Sequence, residues 1–359
     1  MTRANSSSLR REIVVVGQTF LASRTPQRVA AMRALGHSVR VISTMPDGKD
    51  YETRPSLMTR LRYRLRLPAD PADANAAILS IGGEIDVLWL ETADMIRAQT
   101  LRLLKAKHPN VSIVYYSEDD MLNPLNRTIW LQRAMPLFDL WATTKSLNSS
   151  PAEYSVLRLR NPMFVNNSYD PDIHRPVRIS VADTKKYGAP VSFIGTYESP
   201  RARSVLHLAR SGLQVRVWGN GWGRMSERHE NLWIEGRPAY NDEFAKVVAA
   251  SPINLCFLRH ANRDLQTCRS IELPACAGFM VHERNREIQE LLRESKEAAY
   301  FSDDMELVDV CRRWLEMGEQ RKAVAENAHL RVQELSLTHQ ANILRIFTEL
   351  ELNRREPDK

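Results

Sequence analysis

Short, almost unbroken apolar runs alternate along most of the chain with stretches in which apolar residues recur every three or four positions. The runs predict strands buried on both faces, and the intervening patterns predict crossover helices, together the signature of parallel sheets. In the first half the strand candidates are EIVVVG (12–17), SVRVIS (38–43), IDVLWL (85–90), SIVYYS (112–117) and FDLWATT (138–144). The proline- and asparagine-rich segment NPMFVNNSYDPDIHRP (161–176) interrupts the rhythm as a linker would. The alternation then restarts with VSFIGT (191–196), LQVRVWG (213–219), LWIEG (232–236), INLCFL (253–258) and GFMVH (278–282). After Asp303 the pattern is helical to the end, with Asp303 or Asp304 as a helix cap and THQANILRIFTELEL (338–352) as a last amphipathic helix. These elements predict an α/β protein of two doubly wound, Rossmann-like domains facing across a cleft. The domains expected are residues 1–172 and 173–337, with residues 338–359 as a C-terminal helix packing back on the first.

The length of 359 residues suits two cores. No apolar run is long enough to span a bilayer, and the polar start MTRANSSSLRRE lacks the apolar stretch of a secretory signal, so a cytoplasmic protein is expected. Cys256, Cys268, Cys276 and Cys311 show no paired spacing, which predicts reduced thiols and no zinc site. Charge changes the picture more. The net value is +7, yet residues 1–70 hold thirteen Lys and Arg against five acidic residues, and the rest of the chain is close to neutral. Much of the excess falls in RPSLMTRLRYRLRL (54–67), where arginine alternates with leucine and tyrosine in a period that fits an amphipathic strand. Such a surface suits peripheral contact with the anionic inner face of a membrane, a phosphorylated acceptor or nucleic acid, and equally a solvated basic flap. With Tyr63 its only aromatic residue, specific nucleic-acid recognition is not expected.

The densest candidate chemistry is DLQTCRSIELPACAG (264–278), where Asp264, Arg269 and Glu272 surround a predicted helix start. Sugar hydroxyls need acceptors and phosphates need guanidinium groups, so the three suit a polyol joined to a diphosphate. The competing reading is an amphipathic helix with Ile271, Leu273 and Cys276 inward and its charges outward. Gly195, Thr196, Gly219, Asn220 and Gly221 follow strand candidates, where ligands of doubly wound sheets sit. Arg201 and Arg203 open the next helix, and Arg259 precedes His260 in the loop FLRHANRD. The acidic turn after SIVYYS supplies Glu118, Asp119 and Asp120: Asp119 and Asp120 are candidates for accepting a hydroxyl proton, against a metal-binding triplet or a simple helix cap. His37 reads as a turn residue, and His174, His260 and His282 lack metal-ligand spacing. No G-x-G-x-x-G fingerprint, phosphate-binding P-loop or G-x-S-x-G elbow is present, which argues against dehydrogenase, P-loop and serine-hydrolase chemistry.

The segments FIGTYESPR (193–201), VWGNGW (217–222), PAYNDEFAKVVAASPINLCF (238–257), RSIELPACAGFMVHER (269–284) and AYFSDDMELVDVC (299–311) resemble the GT-B glycosyltransferases, and within them the spore-maturation CgeB-like group. The resemblance implies a metal-independent hexosyltransferase with no cofactor, taking a nucleoside-diphosphate sugar as donor and an unidentified acceptor. Glu272 falls on the glutamate that holds the ribose hydroxyls in such enzymes. Asp264 falls eight positions earlier, where retaining relatives carry a glutamate facing the donor sugar. Arg269 matches an arginine of the CgeB-like group, Arg201 lies near the expected phosphate contacts, and Gly236 and Tyr240 border the base. Two further readings are a sugar-nucleotide epimerase of the same fold and a non-catalytic scaffold with a basic surface.

Overall fold

The computed structural model of the chain describes residues 10–20, 23–50, 53 and 55–355; the polar start at residues 1–9 and Arg54 lie outside them. The chain divides into two compact units, Met1–Asn166 with His339–Lys359, and Asn167–Thr338. The first holds β1 (Glu12–Gly17), β2 (Ser38–Ser43), β3 (Val87–Glu91), β4 (Ser112–Ser117), β5 (Leu140–Thr143) and β6 (Pro162–Phe164). They form one parallel sheet in the order β2-β1-β3-β4-β5-β6. The second unit holds β7 (Val191–Ile194), β8 (Val215–Trp218), β9 (Leu232–Ile234), β10 (Ile253–Cys256), β11 (Met280–Glu283) and β12 (Ala299–Phe301), again all parallel, in the order β12-β11-β10-β7-β8-β9.

Burial explains why the central strands read as continuous apolar runs. Every residue of β3 and β4 is buried, because helices cover both faces of the sheet. Alternate residues serve opposite faces: Val14, Val16, Leu88 and Leu90 join one core cluster, and Ile13, Val15, Val87 and Trp89 the other. The helix His339–Arg355 belongs to the first unit and contributes Ile343, Ile346, Phe347 and Leu350 to the second of those clusters. In the second unit Asp303 caps the helix Asp304–Glu316 by accepting from the Glu306 amide at 2.8 Å.

Three sequence expectations are corrected. The arginine–leucine alternation of residues 54–67 forms a helix, Leu57–Arg64, in place of a strand; Ser56 caps it by accepting from the Thr59 amide, and leucine, methionine and arginine are good helix formers. The segment treated as a linker contains β6, and the second sheet gains β12, which the apolar pattern did not mark. The cysteines are all free thiols, and burial pushes Cys256 up to about 11 and Cys311 up to about 12. Among the described residues no helix is long and apolar enough to cross a membrane.

Candidate active site

In the second sheet the chain runs from β7 outward through β8 and β9, then returns to the other side of β7 to build β10, β11 and β12. The reversal marks the carboxyl ends of β7 and β10 as the topological switch point, where doubly wound sheets form the crevice that binds ligands. The loop after β7, Gly195 to Glu198, lies on one side of it, and the loop from Phe257 to Thr267 on the other.

The glycines of the first side are required by contact. A β-carbon on Gly219 would lie 1.9 Å from the Gly195 carbonyl oxygen, and one on Gly195 would lie 2.5 Å from the Phe193 ring. This close approach stacks the two loops: the Gly195 amide donates to Trp218 O (2.8 Å), the Tyr197 amide to Asn220 O (2.9 Å), and the Trp222 indole to Gly195 O (2.8 Å). The Gly219 amide reaches Arg237 O at 2.9 Å, which ties this pair to the β9 connection carrying Gly236 and Tyr240. Thr196, exposed, gives its carbonyl to Arg201 Nη1 at 3.1 Å.

Arg201 and Arg203 open the helix Ser199–Arg210, but only Arg201 turns inward; it is 8% exposed, whereas Arg203 faces solvent. Burial lowers the affinity of the Arg201 guanidinium for its proton, against the opposing pull of Glu198 at 3.5 Å. Arg259 also reaches Glu198, at 3.2 Å. Glu198 is thus the acidic counterpart of two cations at a helix N-terminus whose first amides lack a side-chain cap.

Across the crevice, Asp264 lies in the loop ahead of the helix Cys268–Ala275, is 7% exposed, and accepts from Asn262 Nδ2 at 2.8 Å. Arg269 and Glu272 sit one turn apart on that helix and form an ion pair. Ile271, Leu273 and Cys276 are buried, as the amphipathic-helix reading expects, but Glu272 is 0% exposed, so its charge does not face outward. Arg269 stays a quarter exposed, donates through Nε to Ile194 O at 3.1 Å, and stacks over Phe244 at 4.5 Å. On the other side of Glu272, His174 Nε2 stands 3.5 Å from Oε1. Its Nδ1 accepts from the Asp170 amide at 3.1 Å, which leaves the ring proton on Nε2, facing the carboxylate. Sequence reasoning missed this role of His174, because it depends on packing across 98 residues of chain with no local signature.

A buried network anchors the same helix. Thr267 and Ser270 form a capping box, and Ser270 Oγ meets His282 Nε2 at 2.8 Å while His282 Nδ1 meets Glu283 O at 2.6 Å. Desolvation lowers the His282 pKa to about 4, outweighing the nearby Glu283. The folded value lies below the unfolded one, so this stabilisation is complete above about pH 6.5 and is lost as pH falls toward 4, by roughly 3 kcal/mol in all. Unfolding followed from pH 7 to pH 4 should therefore show a steeper loss in wild type than in His282→Asn; parallel curves would remove His282 as the cause.

In the first unit, the carboxyl end of β4 carries the acidic turn. Glu118 is committed to Arg28, which contacts it at 3.2 Å and Glu91 at 2.6 Å; burial alone would raise the Glu118 carboxyl, but Arg28 holds it below its ordinary value. Asp120 is 2% exposed and accepts from the Leu122 amide and Asn148 Nδ2. Asp119 is half-buried. Asp94, which the sequence did not single out, has its carboxyl raised to about 6 by burial and by the charge of Asp119. Among the described residues no three His, Cys, Asp or Glu side chains are placed to hold a metal ion.

A glycosyl transferase-like family model matches residues 201–346, while no curated protein matches the chain by sequence. Among solved structures, sucrose-phosphate synthase from Thermosynechococcus elongatus is 12% identical, covers 97% of this chain and 100% of its own, and has a TM-score of 0.63. Anabaena HepE, in complex with UDP and glucose, is 13% identical with a TM-score of 0.61, covering 95% of this chain and 99% of its own. A UDP-forming trehalose-phosphate synthase from Burkholderia vietnamiensis is 12% identical, with 95% and 100% coverage and a TM-score of 0.61. These likenesses establish the fold: two parallel six-stranded α/β sheets of the GT-B glycosyltransferase kind.

Proposed function

We propose that this chain is a glycosyltransferase whose second unit binds a nucleoside-diphosphate sugar at the crevice beside β7 and β10. The observation that carries the reading is the presence there of Arg201 and Arg269, a helix N-terminus without a side-chain cap and the buried Glu272, beside loops whose glycines allow close backbone approach. In this reading Arg201, Arg259 and the first amides of Ser199–Arg210 take the diphosphate, with Glu198 yielding its two cations when the anion arrives. Glu272 is assigned to the ribose hydroxyls, which it reaches when Arg269, a quarter exposed, moves aside toward the diphosphate, and His174 orients it. Gly236 and Tyr240 border the base, Thr196, Gly219 and Asn220 line the phosphate side, and Asp264 faces the donor sugar. Developing charge on the leaving diphosphate is met by arginines and amides without a metal. Asp119 is assigned as the carboxylate that receives the acceptor proton, Asp120 as the residue that fixes its turn, and Asp94 as a neighbour whose raised pKa suits proton transfer near neutral pH.

HepE, of similar fold, is described in complex with UDP-glucose, which supports a uridine nucleotide as donor base and a hexose as the transferred sugar. Placement in the CgeB-like group is supported by the segments 193–201 and 269–284. A thermal-shift panel of nucleoside diphosphates and nucleotide sugars, with and without chelator, tests the proposal. Stabilisation of roughly 2.7 kcal/mol is expected at a hundredfold excess of ligand over its Kd. The shift should be insensitive to chelator and smaller in Glu272→Gln. Silence across the panel would sink the reading, and a shift that needs metal would sink its metal-free form.

A further inference from the structure

The helix Leu57–Arg64 is amphipathic in the wrong sense for a globular protein. Leu57 is 81% exposed, Met58 62%, Leu61 50% and, at its C-cap, Leu65 57%, and no residue of the helix is buried. At about 100° per residue, these four side chains occupy a single arc of about 100°. Arg62 borders one edge of the arc, and Arg60 and Arg64 the other. The half-buried Thr59 lies on the opposite side. None of the three arginines forms an ion pair among the described residues. The segment is nonetheless held at its far end: Arg66 Nε donates to Arg127 O at 2.7 Å, Arg66 O accepts from the Ile129 amide at 2.8 Å, and the Trp130 indole donates to Pro68 O at 3.2 Å. Thr128, beside this anchor, bonds the backbone of Asp94 just beyond β3. The apolar stripe is therefore presented from a fixed base at the carboxyl edge of the first sheet.

An apolar arc flanked by cations fits a surface that is apolar below and anionic above. We infer that Leu57–Arg64 docks on an anionic lipid bilayer, with Leu57, Met58, Leu61 and Leu65 at the acyl boundary and Arg60, Arg62 and Arg64 among the headgroups. This does not depend on the proposed transferase activity, because it rests on residues of the first unit, whereas the proposed donor-binding residues belong to the second.

Flotation of the full chain with phosphatidylcholine vesicles, with and without phosphatidylglycerol, tests it. Binding is expected only to the anionic vesicles, weakening as salt rises. Arg60→Glu/Arg62→Glu/Arg64→Glu should weaken it by roughly 100-fold or more, and Leu57→Ser/Leu61→Ser/Leu65→Ser should abolish it at any salt. Both variants change only exposed side chains, and an unaltered thermal unfolding curve verifies the fold. Absence of vesicle binding by wild type, or binding that survives both sets of substitutions, overturns the inference. A concentration-dependent dimer in light scattering that only the serine variant loses also overturns it, in favour of a second copy as the occupant. The nucleotide panel is read separately, so failure of one does not carry the other down.

Discussion

Replacing Arg269 by alanine is expected to cost the second unit about 3 kcal/mol, more than the matched change at its partner, Glu272→Gln, which should cost about 1 kcal/mol. The asymmetry follows from burial. Glu272 is wholly enclosed, so loss of Arg269 strands a charged carboxylate beside His174, whose Nε2 stands 3.5 Å away. Loss of the Glu272 charge leaves Arg269 with a quarter of its side chain in water and an amide oxygen still in reach. The Arg269 variant also loses the bond to Ile194 O that ties the helix Cys268–Ala275 to the end of β7, and its stacking over Phe244. Native-state hydrogen exchange within β7 and that helix measures the effect locally. The reverse order of costs would mean that the pair is not held as described. Affinity for nucleoside diphosphate supplies the second readout: both variants should bind more weakly, the alanine variant because its crevice wall has moved.

The second large effect is at Gly219. Alanine there places a methyl group 1.9 Å from the Gly195 carbonyl oxygen and 2.6 Å from its carbon, both backbone atoms that cannot rotate away. The two loops must separate, breaking the Tyr197 amide bond to Asn220 O and the indole bond from Trp222, and we expect a loss of several kcal/mol with no measurable donor binding. Gly236→Ala is the control. Its backbone has a φ of +69° but nothing lies within 4 Å of the new methyl, so only the conformational cost of about 1 kcal/mol applies. Equal melting temperatures for the two variants would show that the contact between the loops is not the constraint.

How far the chain could be read without coordinates differs by element. Central strands such as β3 and β4 were legible because burial on both faces leaves an almost unbroken apolar run, with Glu91, Ser112 and Ser117 only at the strand ends. The short edge strands β6 and β12, three residues each, were not, since an edge needs no long apolar run and Pro162 opens β6. The arginine-leucine stretch misled because eight residues of perfect period two are also compatible with a helix whose apolar arc faces outward, an arrangement that pattern reasoning excludes when it assumes a core on the inside. Within the site, Arg269 and Glu272 were legible from helical spacing and the glycines from their positions after strands. His174 and Asp94 were not, because what makes each of them notable is enclosure by residues far away in sequence.

The helix His339–Arg355 places the last apolar side chains of the first unit some 170 residues after Asn166. During synthesis at roughly 5–20 residues per second, the first sheet would therefore wait on the order of ten seconds or more with one face lacking Ile343, Ile346, Phe347 and Leu350. The second unit, continuous from Asn167 to Thr338, is free to complete its core in that interval. The part of the molecule made first is thus the part finished last, and its half-covered sheet is the surface a nascent-chain chaperone would meet.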